Sequence, residues 1–282
     1  MNIAIIGANG FFGYSFLDYF YKNRKLNKSN LFLYSRKFSK KIINKYKSKN
    51  ITFENINNFN KYGFKFDFII YAAISHDYKN DYKFLKNFTR NIKKKINQKF
   101  IFLSSGAVEK KGKFSKREKN YKIFKIKCER YLRRFFKEKI LILRLYSFIG
   151  PWIPLKKNFI VGNIIYALLK DKKFIFNSDK KKIYRSFLYD QKMVEEVINI
   201  LRKKKKKKIY KIGSKEDLEL RDCLKLLKQK MKLKISFKYD ESSLDFDDKY
   251  ILNDKLKIRK INYSNFFKYI RKSIKRLNME NI

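Results

Sequence analysis

The sequence predicts an α/β fold, with a doubly wound parallel sheet followed by a smaller C-terminal α/β lobe. Three observations predict it. Short apolar runs alternate with longer helical patterns along the chain, a glycine-rich turn follows the first run, and the only two prolines, Pro151 and Pro154, follow the sixth. Because two prolines so close together end regular structure, we expect one lobe over 1–150 and a second over 151–282, part of which folds back onto the sheet.

The predicted elements follow from their apolar patterns. Before the prolines, the candidate strands are Asn2–Ile6, Leu31–Tyr34, Ile51–Phe53, Phe66–Tyr71, Phe100–Ser104 and Ile140–Tyr146, with helical patterns between them such as Phe12–Lys22 and Tyr121–Phe136. After the prolines, we expect helices over Gly162–Leu169 and Lys192–Lys203, strands over Arg185–Tyr189 and Lys208–Ile212, and a helical C-terminus.

The composition indicates a folded protein but does not identify its partner. Apolar residues make up 44% of the chain, which is enough for a core and argues against disorder. Lys and Arg total 72 against 25 acids, a formal charge of +47. Since the excess is mostly lysine spread over the whole length, it is typical of AT-rich coding. Attraction to phosphate-bearing ligands or to an anionic membrane surface is the alternative.

Cysteine usage and hydropathy favour a cytoplasmic protein without a transmembrane segment. The chain has two cysteines, Cys128 and Cys223, which do not make a disulfide framework or a metal-ligand pattern. No basic segment precedes the first apolar run, so we expect no signal peptide. The longest apolar run, NFIVGNIIYALL, is too short to cross a bilayer. No metal site is predicted.

A glycine-rich turn, Gly7-Ala8-Asn9-Gly10-Phe11-Phe12-Gly13, lies between the first strand and the first helix. In this context the first glycine permits a tight turn, the second lets the backbone approach a pyrophosphate, and the third lets the helix pack closely. The pyrophosphate oxygens would meet unpaired N–H groups at the positive end of the helix. We therefore predict a dinucleotide site, with an ordinary strand–helix turn as the alternative.

The spacing G-x-x-G-x-x-G resembles that of the extended short-chain dehydrogenase/reductases, the family of nucleotide-sugar epimerases, dehydratases and reductases. The resemblance implies a Rossmann-type lobe that binds NAD or NADP through this turn and through Ala72 and Ala73, after the fourth strand. In the family an acidic residue ending the second strand holds the NAD ribose, whereas here the strand runs into Ser35 and Arg36. Because a guanidinium pairs with a 2′-phosphate, we predict NADP. NAD, with Arg36 as a chance basic residue, is the alternative.

Catalytic residues are predicted on the fifth strand and on the helix after it. The run FIFLSSGAV delivers Ser104 and Ser105 to the C-terminal end of a strand, where ligands of open α/β sheets bind. Downstream, Tyr121, Lys125 and Glu129 recur at intervals of four and share one helix face. The pattern resembles the family's S-S-x-x-V followed by Y-x-x-x-K-x-x-x-E. It implies that Ser105, Tyr121 and Lys125 are catalytic, that Ser105 also contacts substrate, and that Tyr121 and Lys125 also contact cofactor.

The chemistry explains these residue types. A free phenol has a pKa of about 10, and the ammonium of Lys125 together with an oxidised nicotinamide would stabilise the phenolate. Tyr121 could then remove a proton from a sugar hydroxyl as hydride leaves, or donate one to a ketone as hydride arrives. Ser105 would hold the same oxygen. The resemblance implies hydride transfer at a ring carbon, C4, of a nucleotide-activated sugar, by either a reductase or an epimerase.

The second half of the chain carries further resemblances. The segment Arg144–Pro151 resembles the family's R-x-x-x-x-x-G-P segment, which leads from the nicotinamide to the sugar site and implies that Ser147 binds substrate. The segment Tyr184–Asp190 resembles the R-x-(F/Y)-x-(Y/H)-x-x-D strand, which implies that Arg185 meets the nucleotide diphosphate; an ion pair is the alternative. FIVGNIIYALL and YRSFLY look like a subgroup found in surface-polysaccharide gene sets. A homodimer is also compatible with the resemblance.

The chain also departs from the family pattern on the substrate side. Glu109 and Lys110 stand where the family often continues Tyr-Gly, and the loop from Ser105 to the catalytic helix is short. Gly106 and Ala107 stand where 4,6-dehydratases carry an Asp-Glu pair, so we expect no dehydratase activity.

The sequence assigns no role to one notable residue and allows one rival function. His76, the only histidine, lies on the loop after the fourth strand and receives no role. The rival is a Rossmann-fold protein that binds RNA or an acidic partner without turnover. We expect no specific nucleic-acid partner, because a pure binder need not keep Ser105, Tyr121 and Lys125.

Overall fold

A computed structural model describes residues 1–23, 26, 28–59, 66–92, 98–110, 115–155, 159–178, 182–203, 207–238, 247–252 and 263–280. The chain divides into two compact units. The first unit comprises Met1–Val108, Phe114–Leu145 and Val194–Lys211; the second comprises Glu109–Lys113, Tyr146–Met193 and Ile212–Ile282. None of the described helices combines the length and the apolar character needed to span a bilayer.

Strands and helices alternate along most of the chain. The strands are β1 (Asn2–Ile6), β2 (Asn30–Ser35), β3 (Ile51–Asn55), β4 (Phe68–Tyr71), β5 (Lys99–Ser105), β6 (Ile140–Leu145), β7 (Ser147–Ile149), β8 (Phe174–Asn177), β9 (Ile183–Arg185), β10 (Phe187–Tyr189), β11 (Ile209–Ile212), β12 (Leu218–Glu219), β13 (Ile235–Lys238) and β14 (Asp248–Tyr250). The α-helices are α1 (Phe11–Lys22), α2 (Lys40–Lys45), α3 (Tyr78–Asn91), α4 (Lys116–Phe136), α5 (Ile160–Leu169), α6 (Asp190–Arg202), α7 (Leu220–Met231) and α8 (Ser264–Glu280).

The first unit is built on a seven-stranded sheet in the order β11-β6-β5-β4-β1-β2-β3. Strands β1 to β6 pair in parallel, and their central residues are almost fully buried, as expected for a sheet covered on both faces. The predicted α/β fold with a doubly wound parallel sheet is thereby confirmed. The strand order reverses beside β1, so the carboxyl ends of β1, β4 and β5 are neighbours, which is where ligands of such sheets bind.

Helix α4 starts five residues before the predicted Tyr121, because the chain supplies a capping box. The Ser115 side chain accepts from the N–H of Glu118, whose carboxylate accepts from the N–H of Ser115. Two backbone donors at the helix N-terminus are thus satisfied. The buried face of the helix holds Phe124, Lys125, Cys128, Glu129 and Leu132.

Within the residues that the structure describes, the second unit has three small sheets. Strand β7 pairs with β10 in parallel, β9 lies between antiparallel β12 and parallel β14, and β8 pairs with β13. The strand predicted over Arg185–Tyr189 is two strands, β9 and β10, which separate at Ser186. The reason is a buried polar contact: the Ser186 hydroxyl donates to Asp217 (2.5 Å) and accepts from the N–H of Leu252 (2.9 Å).

Candidate active site

The glycine-rich turn crosses the carboxyl end of the sheet next to two other strands. The N–H groups of Gly7 and Ala8 donate to the carbonyl of Tyr34 in β2, at 2.9 and 3.1 Å. Gly7 has φ +81°, and a Cβ there would come within 2.5 Å of Ala73 Cα, in the loop after β4. Only glycine satisfies both the backbone conformation and this contact. The turn is therefore fixed between the ends of β2 and β4.

The N-terminus of α1 is shaped to receive an anion. Its cap residue, Gly10, has no side chain to satisfy the first N–H groups, and the first turn holds no acid. A Cβ on Gly10 would meet only the Gly7 carbonyl at 3.5 Å, whereas one on Gly13 would lie 2.1 Å from the Ala8 carbonyl. The space over Gly10 is thus open while Gly13 serves close packing. This arrangement fits the diphosphate of a dinucleotide.

The remaining predicted residues of the turn differ in exposure. Asn9 and Gly10 are exposed, Phe11 is half-buried, and the Phe12 side chain is buried in the core. Phe12 can therefore meet a ligand only through its backbone. Asn9 Nδ2 donates to the carbonyl of Lys37 at 3.5 Å, which links the turn to the segment after β2.

The end of β2 is followed by two exposed cations, Arg36 and Lys37, and no acid at the predicted ribose position. Ser35 is buried, whereas the Arg36 side chain is exposed. The Arg36 carbonyl accepts from Asn55 Nδ2 at 3.0 Å, so the backbone that carries the guanidinium is anchored to β3.

The catalytic hydroxyls predicted from the sequence are in contact. Ser105 is buried at the end of β5, and its Oγ accepts from the N–H of Ala107 at 3.2 Å. Burial raises the pKa of Tyr121, and a side-chain hydrogen bond with Ser105 lowers it in part. The phenol is thus protonated at neutral pH and can act as a proton donor. The Ser105 hydrogen bond thus opposes the effect of burial on this pKa, and the lowering of the pKa by Lys125 and an oxidised nicotinamide stays a prediction from the sequence.

Lys125 lies beside the tyrosine predicted to be catalytic, Tyr121, and is held by β5. Its Nζ donates to the Leu103 carbonyl at 2.8 Å and lies 5.7 Å from the centroid of the Tyr121 ring. Burial lowers the pKa of Lys125 to about 8, against the opposing effects of Cys128, Asp81 and Glu129, which raise it. The ammonium therefore stays charged at neutral pH but loses its proton more readily than a surface lysine.

Glu129 anchors the face of α4 that carries Tyr121 and Lys125 to two strands. Its Oε1 accepts from the Ser104 hydroxyl at 2.5 Å, and the Arg144 guanidinium of β6 donates to both carboxylate oxygens at 3.0 and 2.6 Å. Glu129 is itself buried. The sequence placed Glu129 on the face of Tyr121 but did not identify its partners, because Ser104 and Arg144 join it only through the strand order.

Two of the three predicted substrate residues, Ser147 and Arg185, lie in the second unit. Ser147 begins β7 and is half-buried. Arg185 ends β9, where its guanidinium donates to Asp248 Oδ2 (3.0 Å) and to the carbonyls of Tyr184 (2.8 Å) and Asp248 (3.2 Å). Lys110 Nζ lies 2.8 Å from the other oxygen of Asp248. The sequence marked Lys110 only as a departure from the family pattern and gave no signal for Asp248, which lies 138 residues away.

Two further observations concern groups that could take part in catalysis. Glu109 accepts from the Tyr146 hydroxyl at 2.6 Å. Among the residues that the structure describes, no cluster of His, Cys, Asp and Glu could hold a metal ion.

Comparison with known proteins decides the family. A sequence model described as the NAD-dependent epimerase/dehydratase family matches residues 3–213. The chain belongs to this family. The match covers the glycine-rich turn, the serine strand and the Tyr121–Lys125 helix. No curated protein matches the chain significantly.

Solved structures share the fold of this family member over nearly its whole length. UDP-glucuronic acid 4-epimerase from Bacillus cereus, in complex with UDP-glucuronic acid and NAD, is 18% identical, with a TM-score of 0.71 over 98% of this chain and 100% of the other. dTDP-glucose 4,6-dehydratase from Bacillus anthracis, in complex with NAD, is 15% identical, with a TM-score of 0.70 over 99% and 97%. UDP-N-acetylglucosamine 4-epimerase from Methanobrevibacter ruminantium is 17% identical, with a TM-score of 0.71 over 97% of each chain.

Proposed function

We propose that this epimerase/dehydratase family member is an enzyme that transfers hydride at C4 of a nucleotide-activated sugar, as a 4-epimerase or a 4-keto reductase. The observation that carries the proposal is the hydrogen-bonded pair of Ser105 and Tyr121 beside buried Lys125. This trio lies at the carboxyl end of the sheet, where the glycine-rich turn also lies. A scaffold that only binds does not need a buried ammonium under a buried phenol, since burying a charge is costly.

The cofactor in this proposal is a nicotinamide dinucleotide, with NADP preferred over NAD. Its diphosphate would lie over the open N-terminus of α1. The proposed contacts are Gly7, Asn9, Gly10, Phe11, Phe12, Gly13, Ser35, Arg36, Ala72, Ala73, Tyr121 and Lys125. The exposed guanidinium of Arg36, without an acid at this position, supports recognition of a 2′-phosphate.

The chain's own residues then handle the proton. A bound nicotinamide dinucleotide supplies or accepts the hydride. Tyr121, protonated in its buried setting, donates a proton to the C4 keto oxygen in the reductive direction and takes it back in the oxidative one. Ser105 hydrogen-bonds both the phenol and the substrate oxygen, which fixes the distance for transfer. The Lys125 ammonium supplies a nearby positive charge that favours the phenolate once the proton has left.

The substrate assignment rests on the second unit. We propose that the N-terminal lobe over 1–150 binds the dinucleotide, that the lobe over 151–282 binds the nucleotide sugar through Arg185, and that Ser147, which precedes that lobe, also contacts the substrate. The Arg185 guanidinium keeps its orientation through Asp248 and the Tyr184 carbonyl, and its Cζ lies 5.8 Å from the centroid of the Tyr250 ring. These three hydrogen bonds use only part of its five N–H groups. It thus retains N–H groups for a diphosphate. We also propose a cytoplasmic enzyme of surface-polysaccharide synthesis, consistent with two free, buried thiols.

A second candidate is binding of a polyanion such as RNA without turnover. A hollow of about 450 Å³ lined by Arg130, Arg133, Arg134, Lys137, Glu138 and Lys208 favours it, because clustered cations attract nucleic acid. Retention of RNA that weakens with salt, in a protein with no turnover, would select this function.

The deciding experiment has two steps. Mass spectrometry of the nucleotide that copurifies with the chain identifies the cofactor. The purified protein is then incubated with UDP- and dTDP-linked hexoses and NAD⁺ or NADP⁺, and with the corresponding 4-keto sugars and NADPH. C4 epimers or reduced sugars support the proposal. A protein that holds no nicotinamide dinucleotide and converts none of these sugars contradicts it.

A further inference from the structure

The carboxylate of Asp81 accepts several hydrogen bonds from the loop between β4 and α3. Asp81 lies in the first turn of α3 and reaches back to the loop before the helix. Its oxygens accept from the Ser75 N–H (2.9 and 3.0 Å), the Ser75 hydroxyl (2.7 Å) and the His76 N–H (3.1 Å). The Ser75 hydroxyl in turn accepts from the N–H of Asp77 at 3.3 Å. One side chain thus collects the donors of two successive loop residues.

The loop that Asp81 holds contains a strained residue. His76 has φ +72°, a conformation that disfavours residues with a Cβ and persists only where the surroundings enforce it. The His76 N–H is one of the donors to Asp81. The bonds to Asp81 therefore offset the cost of the backbone conformation at His76.

The same loop forms one wall of the glycine-rich turn. The Ala72 N–H donates to the Ile6 carbonyl at 2.8 Å, and the Ala73 backbone fills the space that a Cβ on Gly7 would need. Beyond the loop, the ring of Tyr78 lies 5.9 Å from the ring of Tyr121. The segment held by Asp81 therefore runs from the proposed diphosphate site to the proposed catalytic tyrosine.

We propose that Asp81 is a positioning residue for the dinucleotide: by holding Ser75 and His76 it keeps Ala72 and Ala73 against the glycine-rich turn. The inference rests on the proposed dinucleotide binding. Without the carboxylate, His76 relaxes toward negative φ, and the loop leaves the Gly7 turn. A dinucleotide must then reorder the loop when it binds, which weakens its affinity.

Asp77 offers a matched control on the same helix. It is the N-cap of α3: its side chain accepts from the Asn80 N–H at 3.2 Å and from Asn80 Nδ2 at 2.7 Å. Asp77→Ala removes a helix cap and leaves the acceptors of Ser75 and His76 in place. It should lower stability without changing dinucleotide affinity.

The test measures binding of NAD⁺ and NADP⁺ by isothermal titration calorimetry, with the melting temperature of every variant recorded. Asp81→Ala should weaken the preferred dinucleotide about tenfold or more, as expected for loss of several charge-assisted hydrogen bonds. Adding His76→Gly to Asp81→Ala should restore most of the affinity, because glycine adopts φ +72° without strain. A merely structural role for Asp81 would not produce this rescue.

The outcomes separate the inference from the proposed function. If the wild-type chain binds neither dinucleotide, the proposed function is wrong and the inference falls with it. If the wild type binds and folded Asp81→Ala binds equally well, only the inference is overturned. The inference is also overturned if adding His76→Gly to Asp81→Ala fails to restore binding. It is likewise overturned if Asp77→Ala weakens binding as much as Asp81→Ala does. If Asp81→Ala does not fold, Asp81→Asn, which keeps one oxygen acceptor, replaces it, with a smaller loss expected and the same rescue.

Discussion

At the scale of single residues, burial determines the protonation state of the proposed proton donor, Tyr121. The Tyr121 phenol is buried enough that its pKa rises, and the Ser105 hydrogen bond only partly offsets this. A protonated phenol suits reduction of a ketone, whereas oxidation of a hydroxyl needs added positive charge to stabilise the phenolate. Lys125, buried and still cationic at neutral pH, is the protein's source of that charge.

Tyr121→Phe tests the proton donor. It keeps the ring and removes the hydroxyl, so turnover should fall at least ~10²-fold, the usual contribution of general acid–base catalysis, while the variant still binds the dinucleotide. Tyr21→Phe is a matched control, because Tyr21 is exposed and also begins a Y-x-x-x-K pattern. Near-normal turnover by Tyr121→Phe would show that the catalytic assignment is wrong.

Lys125→Met tests the lowered pKa through stability. The folded chain releases this proton from pH about 8, whereas the unfolded chain keeps it to about pH 10.4. Between these values the unfolded state binds more protons, so this lysine makes the free energy of unfolding rise with pH, by about 2 kcal/mol from pH 7.5 to 9.5. Urea unfolding of Lys125→Met should lack this increment. Equal pH dependence in both proteins would contradict the lowered pKa.

Arg36→Ala tests the choice of cofactor. If the guanidinium binds a 2′-phosphate, the variant should lose about 1–3 kcal/mol of NADPH affinity, the range for a charged hydrogen bond, and almost none for NADH. Fluorescence titration with both nucleotides measures this. Equal losses, or a wild-type preference for NADH, would remove the basis for assigning NADP.

At the scale of elements, the position of α4 depends on a buried ion pair. Glu129 accepts hydrogen bonds from the Ser104 hydroxyl of β5 and from the Arg144 guanidinium of β6. Tyr121 and Lys125 lie on the same face of the helix, so this pair sets their distance from the sheet. Because the partners come from two strands, the helix is held against both translation and rotation.

Glu129→Gln tests this anchor. It leaves the Arg144 guanidinium without its charged partner in a buried site, so the free energy of unfolding should fall by about 3–5 kcal/mol. Glu138→Gln is the control, because its ion pair with Lys208 is exposed and such pairs contribute about 0–1 kcal/mol. Urea unfolding measures both. Equal losses in the two variants would show that Glu129 does not act as an anchor.

At the scale of the whole molecule, the proposed chemistry excludes loss of water. A 4,6-dehydratase needs an acid and a base beyond the tyrosine, and Gly106 and Ala107 carry no proton-transfer group. Glu109 accepts a hydrogen bond from the Tyr146 hydroxyl within the second unit. Incubation with UDP- or dTDP-linked glucose and its N-acetylated analogue should therefore give no 4-keto-6-deoxy sugar. A product lighter by one water in the mass spectrum would overturn the expected reaction type.

The sequence by itself determined the parallel sheet, the glycine-rich turn and the helix face shared by Tyr121, Lys125 and Glu129. These features depend on neighbours a few residues away: the alternation of apolar runs, the conformational freedom of Gly7 and the four-residue helix period. The start of α4 was also encoded locally, by Ser115 and Glu118, although the helical pattern alone placed it too late.

The tertiary structure decided which distant side chains meet. Arg185 pairs with Asp248, 63 residues away, and Ser104 with Glu129, 25 residues away. Strand order, rather than any local pattern, brings them together. The division of one predicted strand at Ser186 has the same origin, because its buried hydroxyl must find partners on other segments. Local sequence fixes an element's form; burial of polar groups across elements fixes what its side chains contact.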